Sequence, residues 1–174
     1  MVKIPSEAGL GAPGVEERTQ MLHDLGVLMA LWSHLELFIE VAIWQITKMS
    51  GLHASILLGG LQHKSKISIL YALLRLDGKD ATISKMKTAM SYAKRNALIH
   101  SALGTEDDFS QFAFFYRSID DRYKVTKHSY TATTFHNHVW HFRDLANAAL
   151  DDLPVTHEQI DDYGKQAKFD GINP

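Results

Sequence analysis

The chain contains no cysteine. That absence excludes disulfide scaffolds, thiolate zinc sites and thiol nucleophiles together, and it is the composition expected of a protein in a reducing cytoplasm. An excess of positive charge is also missing. Eighteen Lys+Arg face twenty Asp+Glu, a formal net charge of −2, so there is no chain-wide basic footprint of the kind that coats duplex DNA. Any nucleic-acid site must be local. Long apolar runs are interrupted: in Leu35–Trp44 the carboxylates Glu36 and Glu40 intervene, so no stretch offers the roughly 20 uncharged apolar residues of a membrane span. The opening Met1-Val-Lys-Ile-Pro-Ser6 has no signal-peptide core, and no membrane association is expected.

Chemical motifs that would name a cofactor are lacking too. Gly59-Gly60 is not followed by Lys-Ser/Thr at phosphate-loop spacing, no H-E-x-x-H occurs, and no serine stands in a nucleophile elbow. His136, His138 and His141 are the nearest approach to a metal set, but on a helix His136 and His138 point about 200° apart. Two neighbouring imidazoles without a third ligand make a poor zinc site. These histidines read as surface residues, and neither metal nor cofactor is expected.

What is present is a hydrophobic fraction of 45% in 174 residues, enough for one globular domain. Residues 1–14 carry Pro5, Gly9, Gly11, Pro13 and Gly14 and read as a loose leader. Apolar positions from Leu22 to Ile46 recur every three or four residues, which predicts a long helix from Val15 to about Met49 that Gly26 could bend. A short apolar turn at Ala54–Leu58 follows. A second helix is predicted around His63–Leu76, and a third from about Thr82 to Leu103 with Gly104 as its C-cap.

The aromatic run Phe112–Ile119 and the β-rich run Tyr123–Tyr130 flank Asp120-Asp121-Arg122 and predict a hairpin spanning about 110–130. The rhythm Phe135, Val139, Phe142, Ala146, Ala149, Leu153 predicts a fourth long helix from Thr134 to Leu153, stopped by Pro154. Thr156-His-Glu-Gln159 is a capping box opening a short last helix. Residues 169–174 read as a fraying tail. The fold expected is a mainly α, up-and-down helical bundle with a small β-hairpin insert, one domain over 15–168.

Charge is uneven along this bundle. Between Leu61 and Leu103 there are eight cations and two anions, a net +6, while the rest carries ten cations and eighteen anions. Inside that basic island lies Lys94-Arg95-Asn96-Ala97-Leu98-Ile99-His100. On an uninterrupted helix Asn96 and His100 are about 40° apart, while Arg95 is about 140° round from His100. Only the length of the arginine side chain could close that angle. The trio suits RNA cleavage by internal transesterification, which needs a group that moves protons near neutral pH and a fixed cation beside the phosphate. His100, placed near the end of its helix, also faces the negative end of the helix dipole.

Arg95-Asn96-x-x-x-His100 resembles the signature of the HEPN domains, all-helical proteins marked by an Arg, usually followed by Asn, Asp or His, and then a His four to six residues on. The order of elements over roughly 15–103 is similar as well: a long first helix bearing Trp32 and Glu36, a glycine break, a Lys-containing second helix and then the motif helix. The resemblance implies a metal-independent endoribonuclease whose two motifs face each other across a homodimer, serving as a toxin with a cognate antitoxin or in phage defence. His100 would move the proton, Arg95 would stabilise the phosphate and Asn96 would orient one of them. Charge alone adds Lys94, Lys64 and Lys66 as RNA contacts. Glu36 is expected as a structural partner of Arg95. Beside this stands a plainer reading, a non-catalytic helical module that binds nucleic acid or protein, with Arg95 paired to Glu36 or Glu40 and His100 in the core.

Overall fold

The computed structural model describes residues 14–105, 111–119 and 123–166. The predicted leader, the acidic turn at 106–108, the hairpin turn at 120–122 and the tail lie wholly or almost wholly outside the described residues. Those described are mainly helical with a small antiparallel sheet, as the sequence predicts. They form α1 (Val15–Thr47), α2 (Gly51–Gly59), α3 (His63–Leu76), α4 (Asp80–Ala93), α5 (Arg95–Ile99), β1 (Ala102–Thr105), β2 (Phe112–Ile119), β3 (Tyr123–Tyr130), α6 (Ala132–Leu150) and α7 (His157–Gln166). The contacts group them into two compact units, one drawn from Met1–Ala30 and Met90–Arg143, the other from Leu31–Ala89 and Asp144–Pro174.

The first unit holds the sheet, in the order β1-β2-β3. β2 pairs with β3 from Phe112 opposite Tyr130 to Ile119 opposite Tyr123, the predicted hairpin. Its other edge pairs with β1, Ala102 opposite Phe115 and Thr105 opposite Phe112, so the insert has three strands where two were expected. An unpaired β2 edge would leave a row of amides without partners, and Ala102–Thr105 supplies them. Phe112, Phe114, Phe135, Val139 and Phe142 are buried in this unit with Met21 and Leu28 of α1. The Asp24 carboxylate is fully buried among them, where it accepts a hydrogen bond from Gln20 Nε2 at 3.0 Å and lies 3.1 Å from His136 Nδ1. A buried charge needs such partners. α6 opens with reciprocal bonds between Thr131 and Thr134, whose hydroxyls accept from each other's amides at 3.1 and 2.8 Å.

Among the described residues the regular elements of the second unit are helices. Trp32, Leu35, Phe38, Ile39, Ile43, Leu70, Leu74, Ile83, Met86, Ala146 and Ala149 form its buried apolar set. α1 ends where Lys48 turns to φ 55°, and Ser50 caps α2 by accepting from the His53 amide at 3.3 Å. Residues 54–58, read from sequence as a turn, therefore belong to a full helix. α2 lies against α7, and at the contact Gly51 leaves no room for a side chain: a Cβ there would sit 2.7 Å from that of Gln166. The Gly51 amide instead donates to Gln166 Oε1 at 2.9 Å. The capping box of α7 forms as predicted, with the Thr156 amide donating to Gln159 Oε1 at 2.8 Å and the Gln159 amide to Thr156 Oγ1 at 3.3 Å.

By length and composition alone α1 could cross a membrane, with an 18-residue window of mean hydropathy 1.6, of which 44% is buried inside the protein. The two carboxylates that interrupt that stretch have partners in the second unit. Glu36 Oε1 lies 2.7 Å from His63 Nδ1 as an ion-pair contact, and Glu40 accepts a hydrogen bond from Lys66 Nζ at 2.5 Å.

Candidate functional site

The motif segment departs from the predicted continuous helix, and the departure builds the site. α4 stops at Ala93, and Lys94 takes the left-handed conformation, φ 47°, ψ 29°. The chain restarts as the five-residue α5, which His100 closes as C-cap, its amide donating to the Asn96 carbonyl at 3.2 Å. Gly104, expected as the C-cap of one long helix, lies in β1 instead. Leu98, 2% exposed, anchors α5, which lies against β2. The break is held from α6: the buried His138 approaches the Ala93 carbonyl through Nε2 at 3.5 Å. Burial pushes the His138 imidazole below its ordinary value, with Lys94 adding to the effect and the Ala93 carbonyl opposing it. His138 is therefore the neutral, Nε2-protonated donor.

Around this break the three motif side chains meet. Arg95 Nη1 donates to Asn96 Oδ1 at 3.1 Å and lies 3.4 Å from His100 Nε2. An arginine can only donate, so His100 accepts at Nε2 and carries its proton on Nδ1. Asn96 and His100 are exposed and Arg95 is half-buried. A guanidinium thus sits beside an imidazole and occupies its Nε2 lone pair, so that nitrogen can take up a proton once Arg95 turns to an anion such as a phosphate. This arrangement can bind a phosphodiester and deprotonate a hydroxyl next to it.

The remaining expected site residues fall otherwise. Lys94 is exposed beside Arg95 in the first unit, and Lys64 is exposed in the second. Lys66 is a correction: it is 9% exposed and its ammonium is committed to Glu40, so it is no open phosphate ligand. Glu36, expected as a structural partner, lies 2.7 Å from His63 Nδ1 within the second unit. Acids from outside the basic island also neutralise part of it, since Lys85 pairs with Asp152 at 2.7 Å. That contact holds the Asp152 carboxyl below its ordinary value, the Lys85 hydrogen bond being the largest cause.

The histidines of α6 are likewise not all surface residues. His138 is 7% exposed and His136 reaches the buried Asp24. Among the described residues no group of three or more His, Cys, Asp or Glu is placed to hold a metal. Sequence reasoning put His138 on the surface, whereas its place three residues after the buried Phe135 sets the imidazole in the core stripe of α6. The chain matches no protein-family model, no curated protein and no solved structure.

Proposed function

We propose that this protein is a metal-independent endoribonuclease of the HEPN type, cutting single-stranded or looped RNA through attack of a ribose 2′-hydroxyl on the adjacent phosphorus. The observation that carries the reading is the contact of Arg95 Nη1 with both Asn96 Oδ1 and His100 Nε2. Arg95 turns from His100 to the phosphate, and the freed His100 Nε2 takes the proton from the 2′-hydroxyl as the new O–P bond forms. Arg95, oriented by Asn96, offsets the charge that gathers on the non-bridging oxygens. The P–O5′ bond breaks, leaving a 2′,3′-cyclic phosphate and a 5′-hydroxyl. A second copy of the chain, with its motif facing the first, supplies the acid that protonates the leaving oxygen. Placement in the cytoplasm, as a toxin with a cognate antitoxin or as a phage-defence effector, belongs to the same proposal.

The test is cleavage of a single-stranded RNA by the purified protein in EDTA. Arg95→Ala and His100→Ala are each expected to lose at least about 100-fold in rate while keeping the wild-type circular dichroism spectrum. A 2′-deoxy substitution at the scissile nucleotide should block the reaction. Undiminished cleavage by both variants would refute the assignment, and binding without cleavage by the wild type would leave a helical nucleic-acid-binding module.

A further inference from the structure

We infer that the first unit carries a nucleobase-stacking subsite beside the motif, formed by Tyr92 and His141 with Lys94 as its phosphate contact. The subsite rests on the RNA reading above and extends it from the phosphate to the base. Its basis is a column of rings that starts in the core and ends in solvent. Phe114 stacks on Phe135 with centroids 5.5 Å apart and planes 27° apart, and Phe135 on His138 at 6.2 Å and 18°. His138 stacks in turn on Tyr92 at 4.7 Å and 23°. His141 stands edge-on to Tyr92 at 4.7 Å and 77°. Burial declines along the column: Phe114, Phe135 and His138 are buried, Tyr92 is half-buried and His141 is exposed.

This column has a use that core packing does not require. His138 backs the Tyr92 ring, so the outer pair is pre-ordered and an incoming flat group finds rings that need not be rearranged. Aromatic faces accept every base, and in single-stranded RNA the bases are unstacked and free to dock. The column is also tied to the cleavage motif. His138 contacts the carbonyl of Ala93, Lys94 comes next, and Arg95 follows it. Lys94 is exposed and follows directly on Ala93, whose carbonyl His138 contacts. A base resting on Tyr92 and His141 would leave its strand to run toward Lys94 and Arg95, which follow Ala93 in the chain. A flanking nucleotide is thereby positioned and the scissile bond brought to the motif.

The experiment compares two labelled strands of 2′-O-methyl RNA, which cannot be cleaved, one with bases and one abasic, by fluorescence anisotropy on the full chain. The wild type should prefer the strand with bases by about tenfold. His141→Ala, on an exposed ring, and Tyr92→Leu should bring that ratio close to one, whereas Tyr92→Phe keeps it. Lys94→Gln should weaken both strands alike. Equal affinity of the wild type for the two strands, failure to bind either, or an unchanged ratio in His141→Ala overturns the subsite. The two proposals fail separately. Cleavage of natural RNA with no base preference removes the subsite alone, while base preference without cleavage removes the ribonuclease assignment alone.

Discussion

The sharpest test of the site's architecture is the sign of a glycine substitution at Lys94. At φ 47°, ψ 29° an L-residue suffers a clash between its Cβ and the carbonyl that costs about 1–2 kcal/mol. Glycine has no such clash, but its freedom in the unfolded chain returns about 0.5–1 kcal/mol to the unfolded state. Lys94→Gly is therefore expected to gain about 0.5–1 kcal/mol, a rise in Tm of a few degrees for a chain of this size. Lys94→Ala keeps the Cβ and gains nothing by this route. Both variants lose the same charge, so its influence on His138 and His128 cancels in the comparison, and the exposed side chain takes no core packing with it.

In an unbroken helix the order reverses, because alanine there exceeds glycine by about 1 kcal/mol. The two architectures thus differ by about 2 kcal/mol in the Gly-against-Ala comparison, well outside the error of paired urea titrations at neutral pH. Should Lys94→Ala be the more stable variant by about 1 kcal/mol, the helix runs through residue 94 and the explanation of how Arg95 reaches His100 is wrong. Cleavage assayed on the same proteins adds a second readout: Lys94→Gly keeps the break and should keep the Arg95–His100 contact.

Three further outcomes follow from polar groups the fold has enclosed. Burial, with the Glu40 charge and hydrogen bond adding to it, pushes Tyr163 from 10.0 up to about 12. Its neutral form is favoured in the folded state, a contribution of about 3 kcal/mol that is full below pH 10 and lost as pH rises toward about 12. Stability from urea unfolding across that range should fall more steeply in the wild type than in Tyr163→Phe, where Tyr71 and Tyr130, also raised by burial, still contribute; equal slopes would refute it. For His138 the sign is opposite in pH: burial lowers its value, so below about 6.5 the unfolded chain takes up the proton first and stability falls with acidity. Replacing His138 with Gln should flatten that fall, and an unchanged acid limb would count against a neutral His138. Lys66→Met should cost about 2 kcal/mol, through loss of its bond to the Glu40 carboxylate, and leave RNA affinity unchanged; weaker RNA binding would restore Lys66 as a contact.

Where local rules decide the structure, the sequence was readable. α3 spans His63–Leu76, the predicted range, because a glycine pair precedes it and Asp77-Gly78 follows, Gly78 adopting φ 69°. The cap of α7 needed only Thr156 and Gln159. β1 was hidden: Ala102-Leu103-Gly104-Thr105 has neither alternation nor more than one β-branched residue, and it becomes a strand because β2 offers it an edge. The break at Lys94 was hidden for a related reason. Lysine and arginine are good helix formers, so nothing local announces a positive φ, and the turn exists only because α5 docks on β2 and His138 meets the freed carbonyl of Ala93.

The same contrast explains the site. Residue types and spacing were legible, since Arg95, Asn96 and His100 can be picked out by the chemistry each supplies. Their meeting was not, because an ideal helix separates Arg95 from His100 by about 140°. The chain avoids that angle by restarting the helix at Arg95 and ending it before His100, whose φ and ψ are −94° and 13°. Two irregular residues therefore flank one turn, and the long guanidinium arm spans what is left, at 3.1 Å to Asn96 and 3.4 Å to His100. A backbone strain that raises the folded state's energy at Lys94 persists only when its surroundings fix it. Here those surroundings are the buried Leu98, strand β2 and the neutral His138. Any change that lets α4 run on through Lys94 would relieve the strain and draw the imidazole away from the guanidinium in one step.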